Sequence, residues 1–404
     1  MTDRLLISGL PGELRAARLR DGILADLVIQ RDGEPSVTGS IYLGRVARID
    51  RGMSAAFVEI GLARPGVLPL SEAPARSVSE GDRVLVRALR EPGPDKGARL
   101  TAKLKNPPPD LDDLAARADP PALLVPGQPP LDRLLTPESV PDEILVDDAA
   151  WLRTLKDRLS AFGADRADRA GRARLATTSG SLFADHDVEG QIEALLEPEV
   201  PLPSGGALLI EPVRTLVAID VNAGRASERD PTPGQALAVN LEAAAEIGSQ
   251  LRLRALSGLI VIDFLALKVP GARQQVVKAL RRALRDDPEP GRVFPMTPSG
   301  LVEMTRRRGA PALHEILTEP VGIGGTGRVK SAVTLAYEAL RRVQIESAGN
   351  PAGRPAIHAA PRVLEALGTA VALAVSVVER RIGRPIRLVP ASGLADKGFE
   401  VALD

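Results

Sequence analysis

Cysteine is absent from all 404 residues. Disulfides, thiolate zinc sites and cysteine nucleophiles are therefore excluded together. Histidine is scarce: His186, His314 and His358 stand far apart without ligand spacing, so each reads as a surface or hydrogen-bonded side chain. A metal would have to take oxygen donors, which selects Mg²⁺, with Mn²⁺ as the alternative. Aromatics are few (Phe 6, Tyr 2, Trp 1), so the cores must rest on Leu, Val, Ile and Ala. No apolar run approaches the roughly 18 residues of a membrane helix. The start, Met1-Thr2-Asp3-Arg4, lacks the regions of a signal peptide, so a cytoplasmic protein with no membrane partner is expected. Net charge is missing too, 52 basic residues balancing 52 acidic ones, which argues mildly against a nucleic-acid binder. Arginines nevertheless cluster at Arg252, Arg254, Arg281, Arg282, Arg285 and Arg306-Arg307-Arg308, and again between Arg380 and Arg387. Such clusters are solvated faces or phosphate grips, and sequence leaves both open.

What is present is a long chain, 44% hydrophobic, suited to two to four domains. Residues 4–30 read as three short strands turned at Pro11-Gly12 and Asp21-Gly22. Five more strands between Ser40 and Ala102, with Gly-rich turns, fit a small closed barrel of the oligonucleotide-binding type. Prolines crowd residues 106–141 and predict an extended connector. A strand at 143–147 and helices at 148–162 and 188–196 follow. Later, 274–285 reads as a helix, 293–295 as a strand, and Ser299 as the cap of a helix through Leu301, Met304 and Thr305. Glycines 322, 324, 325 and 327 suggest a flexible joint. Helices at 333–346 and 361–367 and strands at 372–379, 386–390 and 400–403 complete a small α/β unit.

Two apolar runs lead into an aspartate: 216–222 carries Asp220 just before its end, and 259–263 ends on Asp263. Between them Leu237, Leu241, Ala244, Gly248 and Leu251 follow a helical step. Strand, helix, strand implies a right-handed crossover with parallel pairing, and ligands collect beyond the carboxyl ends of such strands. Asp220 and Asn222, two apart on a strand, share one face. With Asp263 they offer three hard oxygen donors, the way Mg²⁺ is held when phosphate is the substrate. Nearby arginines such as Arg252 and Arg254 could grip flanking phosphates. The competing reading is that both aspartates merely cap turns after their strands.

At these residues the chain resembles the ribonuclease E/G family. The resemblance rests on Leu202-Pro203-Ser204-Gly205-Gly206, on Ala218-Ile219-Asp220-Val221-Asn222-Ala223-Gly224-Arg225 and on Asn240-Leu241-Glu242-Ala243-Ala244. It continues through Gln250-Leu251-Arg252-Leu253-Arg254 and 258–264, and upstream to Ala55-Ala56-Phe57-Val58. It implies a multidomain α/β protein: an RNase H-like domain (1–35 and 118–200) holding an inserted S1 barrel (36–105), a connector (106–117), a DNase I-like catalytic subdomain (201–318), a link (319–330) and a small C-terminal domain (331–404). It implies a Mg²⁺-dependent endoribonuclease of RNA processing or decay, cleaving single-stranded RNA by metal-activated water to leave 5′-phosphate products. Asp220 and Asp263 would hold the metal, Asn222 would position an aspartate, and Phe57, Lys96, Arg225, Arg252 and Arg254 would contact RNA.

Three departures qualify this. Relatives commonly carry a Cys-Pro-x-Cys zinc link, for which Glu319-Pro320-Val321-Gly322 stands here, so a homodimer would need contacts other than zinc. The segment that senses a 5′-monophosphate is expected after the barrel, where this chain runs into its proline-rich connector. Val67 stands where an RNA-stacking aromatic is expected, and Ala266 where an acidic residue is. These losses leave a second reading, an RNA-binding protein with weak or no cleavage.

Overall fold

A computed structural model describes residues 2–31, 37–74, 78–92, 96–127, 130–136, 139–162, 170–177, 181–224, 232–289, 291–321, 327–394 and 398–403. Strands Asp3–Leu10, Glu13–Arg20 and Ile23–Arg31 form an antiparallel meander. Its second turn needs positive φ at both central residues, and Asp21 (52°) and Gly22 (83°) supply it. Glu143–Val146 then joins the first strand in parallel, and Ala173–Leu175 extends the sheet in the same sense. Alternation along the first strand builds two cores. Leu5 and Ile7 pack beneath Leu155 and Leu159 of helix Ala149–Ser160, which Asp148 caps. Leu6 faces Phe183, Val188 and Ile192 on the other side.

Strands Ile41–Asp50, Ala55–Glu59, Gly66–Pro69, Arg99–Thr101 and Arg83–Arg90 make the expected five-strand barrel. It closes because Ile41–Asp50 pairs with both Ala55–Glu59 and Arg83–Arg90. Val46, Ala56, Val58, Leu68, Val86 and Leu100 fill it. The proline-rich connector is more structured than the sequence predicts. Helix Leu111–Arg117 starts once the three prolines have passed, and Ala122–Val125 returns to pair with Ile41–Asp50. Residues 122–125 therefore extend the barrel's sheet and do not open the next domain. Proline excludes helix interiors, but leaves room for a short helix between clusters and an edge strand after one.

The third sheet runs Glu199–Pro201, Ala207–Pro212, Val217–Asn222, Gly258–Asp263, Leu301–Arg306, Gly291–Val293. Helices Pro233–Leu253 and Ala272–Ala283 cover one face, over Ile219, Val221, Ile260 and Ile262. The two helices touch where Gly248 meets Ala283; a Cβ there would lie 2.7 Å from the alanine Cβ. Ser299 caps no helix: 301–306 is a strand, with Val302, Met304 and Arg306 buried and the residues between them turned outward. That is period two, which outweighs the local helix reading.

The glycine-rich joint is framed by an antiparallel ribbon, Thr318–Val321 with Gly327–Lys330; residues 322–326, with three of its four glycines, lie outside the described residues. The C-terminal unit stacks helices Ala332–Gly349, Pro361–Gly368 and Ala372–Ile382 on strands Arg387–Pro390, Pro355–Ala359 and Phe399–Leu403. Residues 372–379, expected as a strand, are helical. Val371, Ala374 and Val378 are buried at three- and four-residue steps, while Leu373 is exposed. Among the described residues no single helix is long and apolar enough to cross a membrane.

Candidate active site

Asp220 and Asp263 are register partners on adjacent parallel strands. Strand spacing sets their backbones about 4.8 Å apart, and partners in register project to the same side. Ile219, Val221 and Ile262 point into the core, so Asp220, Asn222 and Asp263 point to the face that the helices leave uncovered. Asp220 is half-buried, and Asn222 and Asp263 are exposed. None of the three side chains makes a hydrogen bond or ion pair among the described residues. Two carboxylates in register, with lone pairs unused and an amide oxygen two residues on, suit a hard divalent cation that keeps most of its water. Among the described residues no larger group of acidic or histidine side chains could hold an ion.

Segments distant in sequence buttress this end of the sheet. The loop at 202–206 closes on itself through a Leu202 N–H to Gly206 carbonyl bond of 2.8 Å. The Ser204 N–H donates to Glu242 Oε2 at 3.0 Å, tying the loop to the long helix. Gly224 (φ 80°) lies against that loop so closely that a Cβ would sit 1.9 Å from the Gly205 carbonyl oxygen. Asn240, fully buried, forms a two-point clamp. Its Nδ2 donates to the Leu265 carbonyl at 2.9 Å, and its Oδ1 accepts from the Leu265 N–H at 3.0 Å. Leu265 follows Asp263 by two residues, so the clamp sets where that strand ends. Sequence reasoning assigned Asn240 and Glu242 no role, although a lone amide on an apolar helix stripe is the signal of such a buried hydrogen bond.

The arginines part company. Arg225 lies outside the described residues. Arg254 is corrected: it is buried, its Nε donates to Gln250 Oε1 at 2.6 Å, and it cannot face RNA. Burial pulls its pKa down to about 10. Arg252 pairs with Asp26 at 3.1 Å at the helix end farthest from the carboxylates. The triplet is tied up in ion pairs: buried Arg306 pairs bidentately with Asp287, exposed Arg307 with Glu289 and half-buried Arg308 with Glu315.

On the barrel, Phe57 is half-exposed with the Arg48 guanidinium 4.5 Å from its ring centre. Register places Arg48, Phe57, Val67 and Arg99 in one row across four strands, on the outer face. Lys96 is exposed beside the last of these strands.

Comparison with known proteins identifies the family. The sequence profile of the ribonuclease E/G family matches residues 103–309. Ribonuclease G of Salmonella typhimurium (strain SL1344) is 28% identical over 100% of both chains. Ribonuclease G of Escherichia coli (strain K12) is 28% identical over 96% of this chain and 97% of its own. Ribonuclease E of the same strain is 30% identical over 83% of this chain and 40% of its own.

Proposed function

The chain belongs to the ribonuclease E/G family, and from that premise we propose that it is a Mg²⁺-dependent endoribonuclease of RNA processing or decay, cutting single-stranded RNA to leave 5′-phosphate products. The observation that carries this reading is the register pairing of Asp220 with Asp263 on a sheet face the helices leave uncovered, both carboxylates without a hydrogen-bond or ion-pair partner among the described residues. Bound there, Mg²⁺ would neutralise charge developing on the phosphoryl oxygens and acidify water. The protein's share is positional. Asp220 and Asp263 hold the donor pair at strand spacing, Asn222 lies on the same face to orient them, and the Asn240 clamp limits their drift. The row from Arg48 to Arg99 offers stacking and charge to a single strand, as an S1 barrel would.

The order of the N-terminal sheet, three antiparallel strands followed by two parallel ones, supports the RNase H-like assignment. The segment after the barrel holds one seven-residue helix before its edge strand, which supports loss of the 5′ sensor. We therefore expect little preference for 5′-monophosphorylated over 5′-hydroxyl RNA. Having no cysteine, the chain cannot bridge a homodimer through thiolate zinc.

Purified protein incubated with AU-rich single-stranded RNA and Mg²⁺ tests the reading. Cleavage should stop with EDTA, return with Mg²⁺, and be absent from Asp263→Asn. Binding without cleavage by the unaltered protein, or equal cleavage by Asp263→Asn, would overturn it.

A further inference from the structure

A cavity of about 490 Å³ lies between the N-terminal sheet and the carboxylate subdomain. It sits at the end of the third sheet opposite the aspartates. Arg306, which lines it, is the register partner of Gly258, five residues before Asp263 and so roughly 16 Å from it along the strand. The volume is within the roughly 300–1,000 Å³ of small-molecule sites, and interdomain clefts are where such sites favour.

The lining is strongly cationic. Arg18, Arg20, Arg31, Arg133, Arg252 and Arg306 reach it, against Asp26, Asp286 and Glu289. Three of the six are engaged: Arg18 with Asp3, Arg31 with Glu13, and Arg306 with Asp287. The other three keep donors available among the described residues. Arg252 commits only its Nε, to Asp26 and the Ala25 carbonyl. Arg133 touches Glu289 at 3.7 Å, beyond hydrogen-bond distance, and Glu289 is itself held by Arg307 at 2.9 Å. Arg20 is exposed at the rim within electrostatic reach of Asp26, and its side chain donates no hydrogen bond among the described residues. Burial lowers the Arg133 pKa, and Glu289 beside it acts in the opposite direction without outweighing it. The remaining walls are apolar, with Leu134, Leu313, Ile316 and Pro311 among them.

A surplus of guanidinium donors beside an apolar wall matches a ligand that is anionic at one end and flat and weakly polar at the other. We propose that this cavity binds a free nucleoside monophosphate, with Arg133, Arg252 and Arg20 gripping the phosphate and the aliphatic wall receiving the base. The site is separate from the carboxylate pair, so the proposal stands without the nuclease assignment.

Calorimetric titration of the full chain, without Mg²⁺, tests it with AMP, adenosine, inorganic phosphate and a 5′-phosphorylated dinucleotide. AMP should bind at one site, at least tenfold tighter than adenosine or phosphate and no weaker than the dinucleotide. Arg133→Gln should weaken AMP at least tenfold with unchanged circular dichroism, and Arg20→Gln, at an exposed rim position where substitutions change stability little, should weaken it severalfold with the same circular dichroism. Asp263→Asn should bind AMP as the unaltered protein does. Absence of AMP binding, equal affinity for phosphate, tighter binding of the dinucleotide, or loss in Asp263→Asn with retention in both arginine variants would each overturn the proposal.

Discussion

Glu13 and the Asp220/Asp263 pair are carboxylates on strands, and the fold surrounds them in opposite ways. The Glu13 side chain is 1% exposed, with Arg31 on one oxygen and Arg341 on the other. Next to it Arg15 holds Glu189 bidentately and lies over Phe183. This network ties the first hairpin to the helix Ala332–Gly349, some 328 residues away in sequence. Among the described residues Asp220 and Asp263 have no such partners, although they share a strand register. A carboxylate saturated by arginine is a joint. Two left bare side by side repel each other, and that arrangement is stabilised only by something brought from outside.

Four substitutions test the contrast, in decreasing order of expected effect. Asp263→Asn should lower RNA cleavage by on the order of 10³-fold or more, because a metal's charge is worth several kcal/mol and each ~1.4 kcal/mol is tenfold. Its thermal stability should stay within about 0.5 kcal/mol, as for other exposed sites; a large loss of stability would make Asp263 structural. Glu13→Gln inverts the pattern. Removing one member of a buried charge network costs about 3–5 kcal/mol in chemical denaturation, while cleavage per folded molecule should hold.

The same variant has a pH signature. Burial alone would raise the Glu13 carboxyl, but Arg341, Arg31 and Arg15 outweigh it and hold the pKa below its ordinary 4.5. A depressed native pKa contributes stability that is fully present above the unfolded value and lost as pH falls through the native one. The gap between the unaltered protein and Glu13→Gln should therefore be widest above the ordinary carboxylate range and shrink in acid. A gap that widens in acid would refute the assignment.

Asn240→Leu sits between the two extremes. It strips partners from the Leu265 backbone N–H and carbonyl, at about 2–4 kcal/mol for the pair, and should reduce kcat more than RNA affinity because it loosens the strand that carries Asp263. Phe57→Ala should have the smallest effect. One stacking contact is worth about 1–3 kcal/mol, read as weaker RNA binding by fluorescence anisotropy with kcat at saturation preserved; unchanged affinity would make Phe57 simply barrel surface.

Much of this was legible in the residues. Turn glycines, period-two strands and the helical stripe from Leu237 to Leu251 foretold the meander, the barrel and the crossover, since each is local chemistry repeated along the chain. Misreadings arose where local signals compete. Residues 301–306 and 372–379 are both apolar and β-branched or mixed, and only their neighbours decide which side is buried. Arg254 illustrates the same limit at the site: a guanidinium next to a conspicuous motif reads as a ligand grip, yet the helix turns it inward.

By itself the sequence determined the kinds of chemistry open to the protein: no thiol, oxygen donors at two strand ends, and aliphatic cores. Tertiary structure alone decided which charges are neutralised by one another and which remain available, because pairing over hundreds of residues depends on how the sheets and helices dock. That docking brought Arg341 to Glu13, left three guanidinium groups in the interdomain cavity with donors to offer, and kept every arginine among the described residues out of ion-pair reach of Asp220 and Asp263.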